Sequence, residues 1–461
     1  MPSASARPSN EEDFIAHFAR TFERETFVGL ARASQWLRRQ GKIDAFEFLA
    51  GLVFGQMSAL RLTLNAQAAC CTEAVSRQAV DQRYHERTVA YFRGAFDHCL
   101  ERSLALAPAP ALQAALAAHF TAIHLVDSSG FDCPASLASL YPGCGGDASP
   151  ANVKLLLRYE YLRSQFVPVA LVPGKRSDQG LAGDVPRLIH AGELLIADKA
   201  FVKLQALRDI QQAGGYFLLP WPRSVGLYQT QPDGAPQALD LAAVLCASTS
   251  AVCEWPAVQL GAPAEATVVR LVAFRLSEAS ASRARAGLRE AQRKQGRTPS
   301  AASLELAGWL ILLTNVTAAK LPATAVSYLY RVRWQIELVF KQCKSVLRLN
   351  VTEALDNVAR VQCEIWARLI GALVVFGWHG HLQAASWARR RAELSFGQVA
   401  RQLQSRGLTL AEAFIVGGQR LQACLWQIWN HLLVTTRKGR QRTRKTTWQT
   451  LQENWLEPAA P

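Results

Sequence analysis

Tyr330-Arg331-Val332-Arg333-Trp334-Gln335-Ile336-Glu337-Leu338-Val339-Phe340-Lys341-Gln342-Cys343-Lys344 decides how this 461-residue chain is read. Its Tyr330, Arg333, Glu337 and Lys344 stand three, four and seven residues apart. At helical periodicity these four fall within about 60° of one another, and Lys341 joins the same arc. Leu329, Val332, Ile336, Val339, Cys343, Val346 and Leu347 fill a separate apolar arc, so the spacing predicts an amphipathic helix that can pack. One carboxylate set among cationic and polar groups suits a metal ion flanked by phosphate contacts. A merely solvated helix face with ordinary ion pairs would look the same from this stretch alone.

Two aspartates change the balance. Ala122-Ile123-His124-Leu125-Val126 ends in Asp127, and Glu193-Leu194-Leu195-Ile196-Ala197 ends in Asp198. Each run predicts a buried strand with a carboxylate at its C-terminal end, where α/β folds place ligands. Taken singly, either aspartate could equally be a turn residue. Together with Glu337, they could hold two divalent cations about 3.5–4 Å apart. Mg²⁺ suits such all-oxygen ligands, with Mn²⁺ as a substitute.

Here the chain resembles the insertion-sequence-four family of bacterial DDE transposases. The Tyr330, Arg333, Glu337 and Lys344 spacing matches that family's Y-(2)-R-(3)-E-(6)-K signature. Asp198-Lys199-Ala200-Phe201 matches D-x-(G or A)-(Y or F), Asp127-Ser128-Ser129 resembles the first-aspartate motif, and Leu312-Leu313-Thr314-Asn315 resembles the strand before the glutamate helix. The second motif commonly reads D-R-G-Y, so Lys199 keeps the charge but loses the guanidinium fork. Asp132 competes for the role of first aspartate; flanked by Gly130-Phe131 and Cys133-Pro134, it reads as loop.

Composition agrees with a polyanionic partner. The formal net charge is +15, and residues 320–461 carry 20 Lys and Arg against eight Asp and Glu. Ten scattered cysteines include no C-x-x-C, which excludes a zinc ribbon and reads as small buried side chains in a reducing compartment. Met1–Asp13 is polar and acidic, unlike a signal peptide, and the longest apolar run, Leu369–Trp378, is too short for a bilayer. No G-x-x-x-x-G-K-(S/T) loop is present, so ATP-driven chemistry is not implied. The expected setting is the bacterial cytoplasm, nucleoid-associated through DNA, with no membrane.

The expected fold class is α/β with three regions. Residues 1–120 read as an all-α N-terminal DNA-binding domain. Ser76-Arg77-Gln78 could open a recognition helix, with Arg77 and Arg83 as DNA contacts, or the same stretch could be a packing helix with a wet face. Residues 121–350 read as a ribonuclease-H-like catalytic core, from the order of three strands, then strand–helix–strand, then a later helix. A mostly β insertion, at about 222–325, interrupts it. Residues 351–461 read as a helical C-terminal region, which in relatives makes the dimer contact. The basic run Arg437, Lys438, Arg440, Arg442, Arg444 and Lys445 lies there and could bind phosphates by counterion release. Trp309 is 21 residues before Tyr330, the spacing at which a hairpin-forming relative stacks an extruded base; a core tryptophan beside Leu310–Leu313 is the other reading.

The resemblance implies a Mg²⁺-dependent transposase acting on double-stranded terminal inverted repeats and target DNA, as a homodimer in the synaptic complex. Asp127, Asp198 and Glu337 would be the catalytic metal ligands. Tyr330, Arg333, Lys341, Lys344 and Lys199 would serve the DNA, through end nicking, a hairpin intermediate and strand transfer. The rival is a catalytically inactive DNA-binding copy or inhibitor of transposition, against which the intact acidic triad argues.

Overall fold

The computed structural model describes residues 11–39, 41–58, 62–110, 113–145, 149–262, 266–350, 356–439 and 447–456. The fold is mixed α/β, with a large mixed sheet and helical regions toward both ends. The chain divides into two compact units. The first comprises Met1–Ala114, Ser128–Arg176 and Ile336–Arg442; the second comprises Ala115–Asp127, Ser177–Gln335 and Thr443–Pro461. Among the described residues no helix is long and apolar enough to cross a membrane.

Among the described residues ten strands are formed: β1 (Ile123–Cys133), β2 (Ala151–Glu160), β3 (Gln165–Pro173), β4 (Leu194–Ala197), β5 (Tyr216–Pro220), β6 (Leu227–Thr230), β7 (Pro236–Ala238), β8 (Val252–Leu260), β9 (Thr267–Arg275) and β10 (Trp309–Thr314). In the second unit the order is β1-β4-β5-β10-β9-β8-β6-β7. Its first three strands are parallel, with Leu125 opposite Ile196 and Ile196 opposite Leu218. They read as unbroken apolar runs because parallel strands are covered on both faces; Ile123–Val126 and Leu194–Ala197 are buried throughout. From β10 onward the pairing is antiparallel. The segment between β5 and β10 contributes β6–β9 together with helices Leu241–Ala247, Glu278–Arg293 and Ala301–Leu306. Because β9 pairs along the whole of β10, these strands extend the sheet of the unit instead of forming a sheet of their own.

The first unit pairs β3, β2 and the later part of β1 with helices. Helix Val358–Arg390 has 33 residues and is capped by the Asn357 side chain, which accepts from Arg360 N. It packs against helices Ala45–Ser58 and Glu86–Ala105 and against β3, where Phe166 stacks on Phe376 at 4.6 Å. Trp378, fully buried on this helix, is ringed by Phe14, Phe18 and Trp429 at 5.4, 5.4 and 6.0 Å.

Three local expectations are corrected. Asp127 does not end its strand: β1 runs six residues further, to Cys133. What ends at Val126 is the parallel register with Ala197, and beyond it the strand pairs as part of the β2–β3 side. Asp132 is accordingly on the strand, not in a loop, and its Oδ1 accepts from Asn152 Nδ2 at 2.9 Å. Finally, the signature is not one regular helix. Helix Ala323–Tyr330 gives way to a tighter 3₁₀ turn at Arg331–Arg333 before helix Trp334–Ser345 resumes. At about 120° per residue instead of 100°, such a turn moves the residues on either side of it out of the single arc computed from spacing.

Candidate active site

The site builds outward from the sheet. Val126 and Ala197 are the last paired residues of β1 and β4, so Asp127 and Asp198 follow at neighbouring positions on adjacent parallel strands. Asp198 leaves the strand with φ −77° and ψ 164° and caps the next 3₁₀ turn, its Oδ1 accepting from Lys199 N at 2.5 Å. That turn holds Lys199 exposed beside the carboxylate. Gly214, at φ +74°, lets the chain stop helix Leu204–Gln212 and enter β5 at once, a conformation that suits a residue without Cβ.

Tyr330 and Arg333 face the two aspartates. Arg333 Nη1 is 3.7 Å from Asp127 Oδ2, with both side chains less than one-fifth exposed. Burial pushes the Tyr330 phenol well up from its ordinary value; the positive charge of Arg333 opposes this, and the nearby carboxylates of Asp198 and Asp127 add to it. Tyr330 also shares a side-chain hydrogen bond with Arg333. Asp127, Asp198, Tyr330 and Arg333, spread over 206 positions of sequence, are therefore brought to one place. Tyr330 stays protonated, so it offers an O–H donor and no charge.

Glu337 stands half-buried in the first turn of helix Trp334–Ser345, about one helical turn beyond Arg333 along the chain, and is counted in the first unit. Lys341 and Lys344 are exposed further along that helix. Lys344 Nζ is 5.1 Å from the centre of the Phe131 ring on β1. Among the described residues no three His, Cys, Asp or Glu side chains are gathered as a metal ion would need.

The other sequence candidates are dispersed. Trp309 is 5% exposed, its Nε1 donates to Glu305 Oε1 at 3.2 Å, and Arg275 covers its ring at 4.3 Å. It borders a cleft of about 480 Å³ that Lys199, Trp221 and Arg223 also line. Trp221 and Arg223 escaped the sequence reading; an aromatic and a cation flanking Pro222 just after an apolar strand were the signal. Arg77 is exposed, but the helix that Ser76 caps ends at Asp81, after five residues, which is short for a helix reading a groove. Arg83 lies over the Trp36 ring at 5.3 Å. Arg437 is exposed; Lys438 is paired with Glu393 Oε2 at 2.8 Å, so part of its charge is already answered. Arg440, Arg442, Arg444 and Lys445 lie outside the described residues.

Comparison with known proteins places the chain in a family. The family model described as transposase DDE domain matches residues 119–374. The chain is 23% identical over 457 residues to the transposase for insertion sequence element IS231F of Bacillus thuringiensis subsp. israelensis, covering 95% of this chain and 94% of the relative. It is 24% identical to the transposase for IS231B of Bacillus thuringiensis subsp. berliner, over 94% of this chain and 93% of that one. To the transposase for IS1151 of Clostridium perfringens it is 25% identical, over 75% and 76%. The chain belongs to the transposase DDE domain family, as a member of its insertion-sequence-four type.

Proposed function

We propose that this protein is the cut-and-paste DNA transposase of a bacterial insertion sequence, working in the cytoplasm on double-stranded DNA. The observation that carries the reading is the meeting of Asp127, Asp198, Tyr330 and Arg333 where the parallel pairing of β1 and β4 stops. The parallel β1-β4-β5 core is read as ribonuclease-H-like, with the β6–β9 segment as its insertion.

The donor set fits a hard divalent cation. Asp127, Asp198 and Glu337 offer only carboxylate oxygens, and no soft or imidazole ligand stands among them. These three residues would hold two Mg²⁺ ions, or Mn²⁺ in their place. Bound there, the cations supply the Lewis acidity that in-line displacement at phosphorus requires.

The protein's own contribution is positioning and charge. Arg333 stands 3.7 Å from Asp127 and can turn one edge of its planar fork to a phosphate. The Tyr330 oxygen accepts from Arg333, its O–H is left to donate to a phosphate oxygen, and it keeps that proton across the working range because its burial disfavours phenolate. Lys199, Lys341 and Lys344 neutralise flanking phosphates as point charges. With the scissile phosphate held in this frame, water attacks first and nicks the transposon end. The freed 3′-hydroxyl then attacks the opposite strand to give a hairpin, which water reopens before the same hydroxyl attacks target DNA. Every step is the same displacement, so one set of groups serves them all. A homodimer brings the two ends together, and the basic residues from Arg437 onward add sequence-independent affinity.

The test is cleavage of the element's own ends in Mg²⁺ beside Glu337→Ala. Nicking and hairpin ends that vanish in the variant, while end binding persists, are the expected result. Wild-type binding without cutting in Mg²⁺ or Mn²⁺ would turn the reading to an inactive DNA-binding copy.

A further inference from the structure

β9 carries one cation inside an apolar run, Val268-Val269-Arg270-Leu271-Val272. Arg270 is only 4% exposed. Its Nε donates to Glu254 Oε1 on β8 at 2.6 Å. Its Nη1 donates to two backbone carbonyls, Val316 O at 3.2 Å and Leu321 O at 2.7 Å. Among the described residues Nη2 has no hydrogen-bond partner. A buried guanidinium with one nitrogen unanswered is a poor way to stabilise a sheet, since an apolar side chain of similar volume avoids the desolvation cost. The reason for an arginine lies in what it holds.

Val316 and Leu321 are the two ends of the turn that leaves β10 and delivers the chain to helix Ala323–Tyr330. The entry is fixed from β5: Thr314 Oγ1 donates to Phe217 O at 2.6 Å, and the Asn315 amide pairs with Phe217 N and Gly215 O at 2.9 Å each, extending the ladder with a side chain. Arg270 reaches the exit as well as the entry, so a single nitrogen staples the turn shut. Pro322 follows directly and opens the helix, which lies against β8, β9 and β10 and ends in Tyr330.

We propose that Arg270 is a positioning residue for the site. By holding Val316 O and Leu321 O together, it sets the direction of helix Ala323–Tyr330 and so aims Tyr330 and Arg333 at Asp127 and Asp198. The structural half of this inference is independent of the chemistry; its kinetic half rests on the transposase reading above.

The experiment uses full-length protein with ring-labelled tyrosine, the Tyr330 signal being assigned by Tyr330→Phe. Arg270→Met is expected to shift the Tyr330 resonance and to lower the rate of end cleavage about tenfold to a hundredfold, with end affinity within about twofold. Arg270→Lys, which can reach one carbonyl but not hold both with Glu254, should recover part of each change. Leu271→Val on the same buried strand controls for lost stability and should leave the Tyr330 signal and the rate in place. If Arg270→Met folds with Tyr330 unmoved, or if Leu271→Val reproduces its effects, the proposal is overturned. Should Arg270→Met not fold, Arg270→Lys against Leu271→Val decides by the same signals. A wild type that cuts no DNA sinks the transposase reading alone, because the Tyr330 resonance still reports on the staple.

Discussion

Trp378 and Tyr330 are both aromatic, both helical and both largely removed from water, yet their surroundings differ in kind. Around Trp378 in the first unit stand Phe14, Phe18, Trp429 and the ring of His381, which stacks on Phe14 at 4.2 Å. The indole Nε1 of Trp378 has no hydrogen-bond partner among the described residues, and burial pushes His381 down to about 4. Rings meet rings there, and charge stands only at the margin, where Trp429 Nε1 donates to Glu11 Oε2 at 3.2 Å. Around Tyr330 in the second unit stand two carboxylates and a guanidinium, with Arg333 Nη1 3.7 Å from Asp127 Oδ2. Ring packing tolerates loss of polarity and punishes loss of volume. The charged site is expected to do the reverse, tolerating loss of volume and punishing loss of charge.

The widest separation of the two regions comes from the carboxylates. Asp198→Ala or Asp127→Ala should lower end cleavage by more than about a thousandfold while the melting temperature changes little, as read by single-turnover cleavage beside calorimetry. Equal loss of stability would mean that these aspartates are structural.

Arg333→Ala is next. It removes the guanidinium beside Asp127 and the partner of Tyr330, and should cost about a hundredfold in cleavage rate, with Arg333→Lys recovering part through charge alone. A lysine variant as active as wild type would show that the planar fork is not used.

Trp378→Ala reverses the signature. It should destabilise the protein by about 3–5 kcal/mol, measured by denaturant unfolding, while cleavage per folded molecule stays near wild type. Trp378→Phe should cost much less, because the indole N–H it removes has no partner to lose.

The smallest effect is on pH. His381 is buried and 6% exposed; burial holds its pKa at about 4, opposed by the hydrogen bond to Leu106 O at 3.2 Å. The folded form resists a proton that the unfolded chain takes up near 6.5. The contribution of His381 is therefore complete above about pH 6.5 and is lost as pH falls toward 4, by a few kcal/mol at most. Melting temperatures across that range should fall less steeply in His381→Phe. An unchanged slope would assign the acid sensitivity elsewhere.

Much of this was legible in the sequence, and the failures are local. Ile123–Val126 and Leu194–Ala197 announce buried strands because parallel strands are apolar on both faces, and so Asp127 and Asp198 could be named. That Asp127 lies within its strand was not visible, since nothing in Ser128-Ser129-Gly130 signals continued pairing with a second partner. The 3₁₀ turn at Arg331–Arg333 was hidden because periodicity assumes one pitch throughout. Trp309 stood between two readings because a spacing does not reveal Glu305 at its Nε1 or Arg275 over its ring. Arg270 drew no notice, although a lone cation in an apolar strand was a signal; what it holds is 46 and 51 residues away.

The most direct test of metal-assisted phosphoryl transfer at Asp127, Asp198 and Glu337 is sulfur substitution at the scissile phosphate of the element's end. A metal ion contacting that phosphate should make one phosphorothioate isomer unreactive in Mg²⁺ and reactive again in Mn²⁺, with Asp198→Ala inactive in both. Equal rates for both isomers and the native phosphate in Mg²⁺, with Asp198→Ala still cutting, would contradict it.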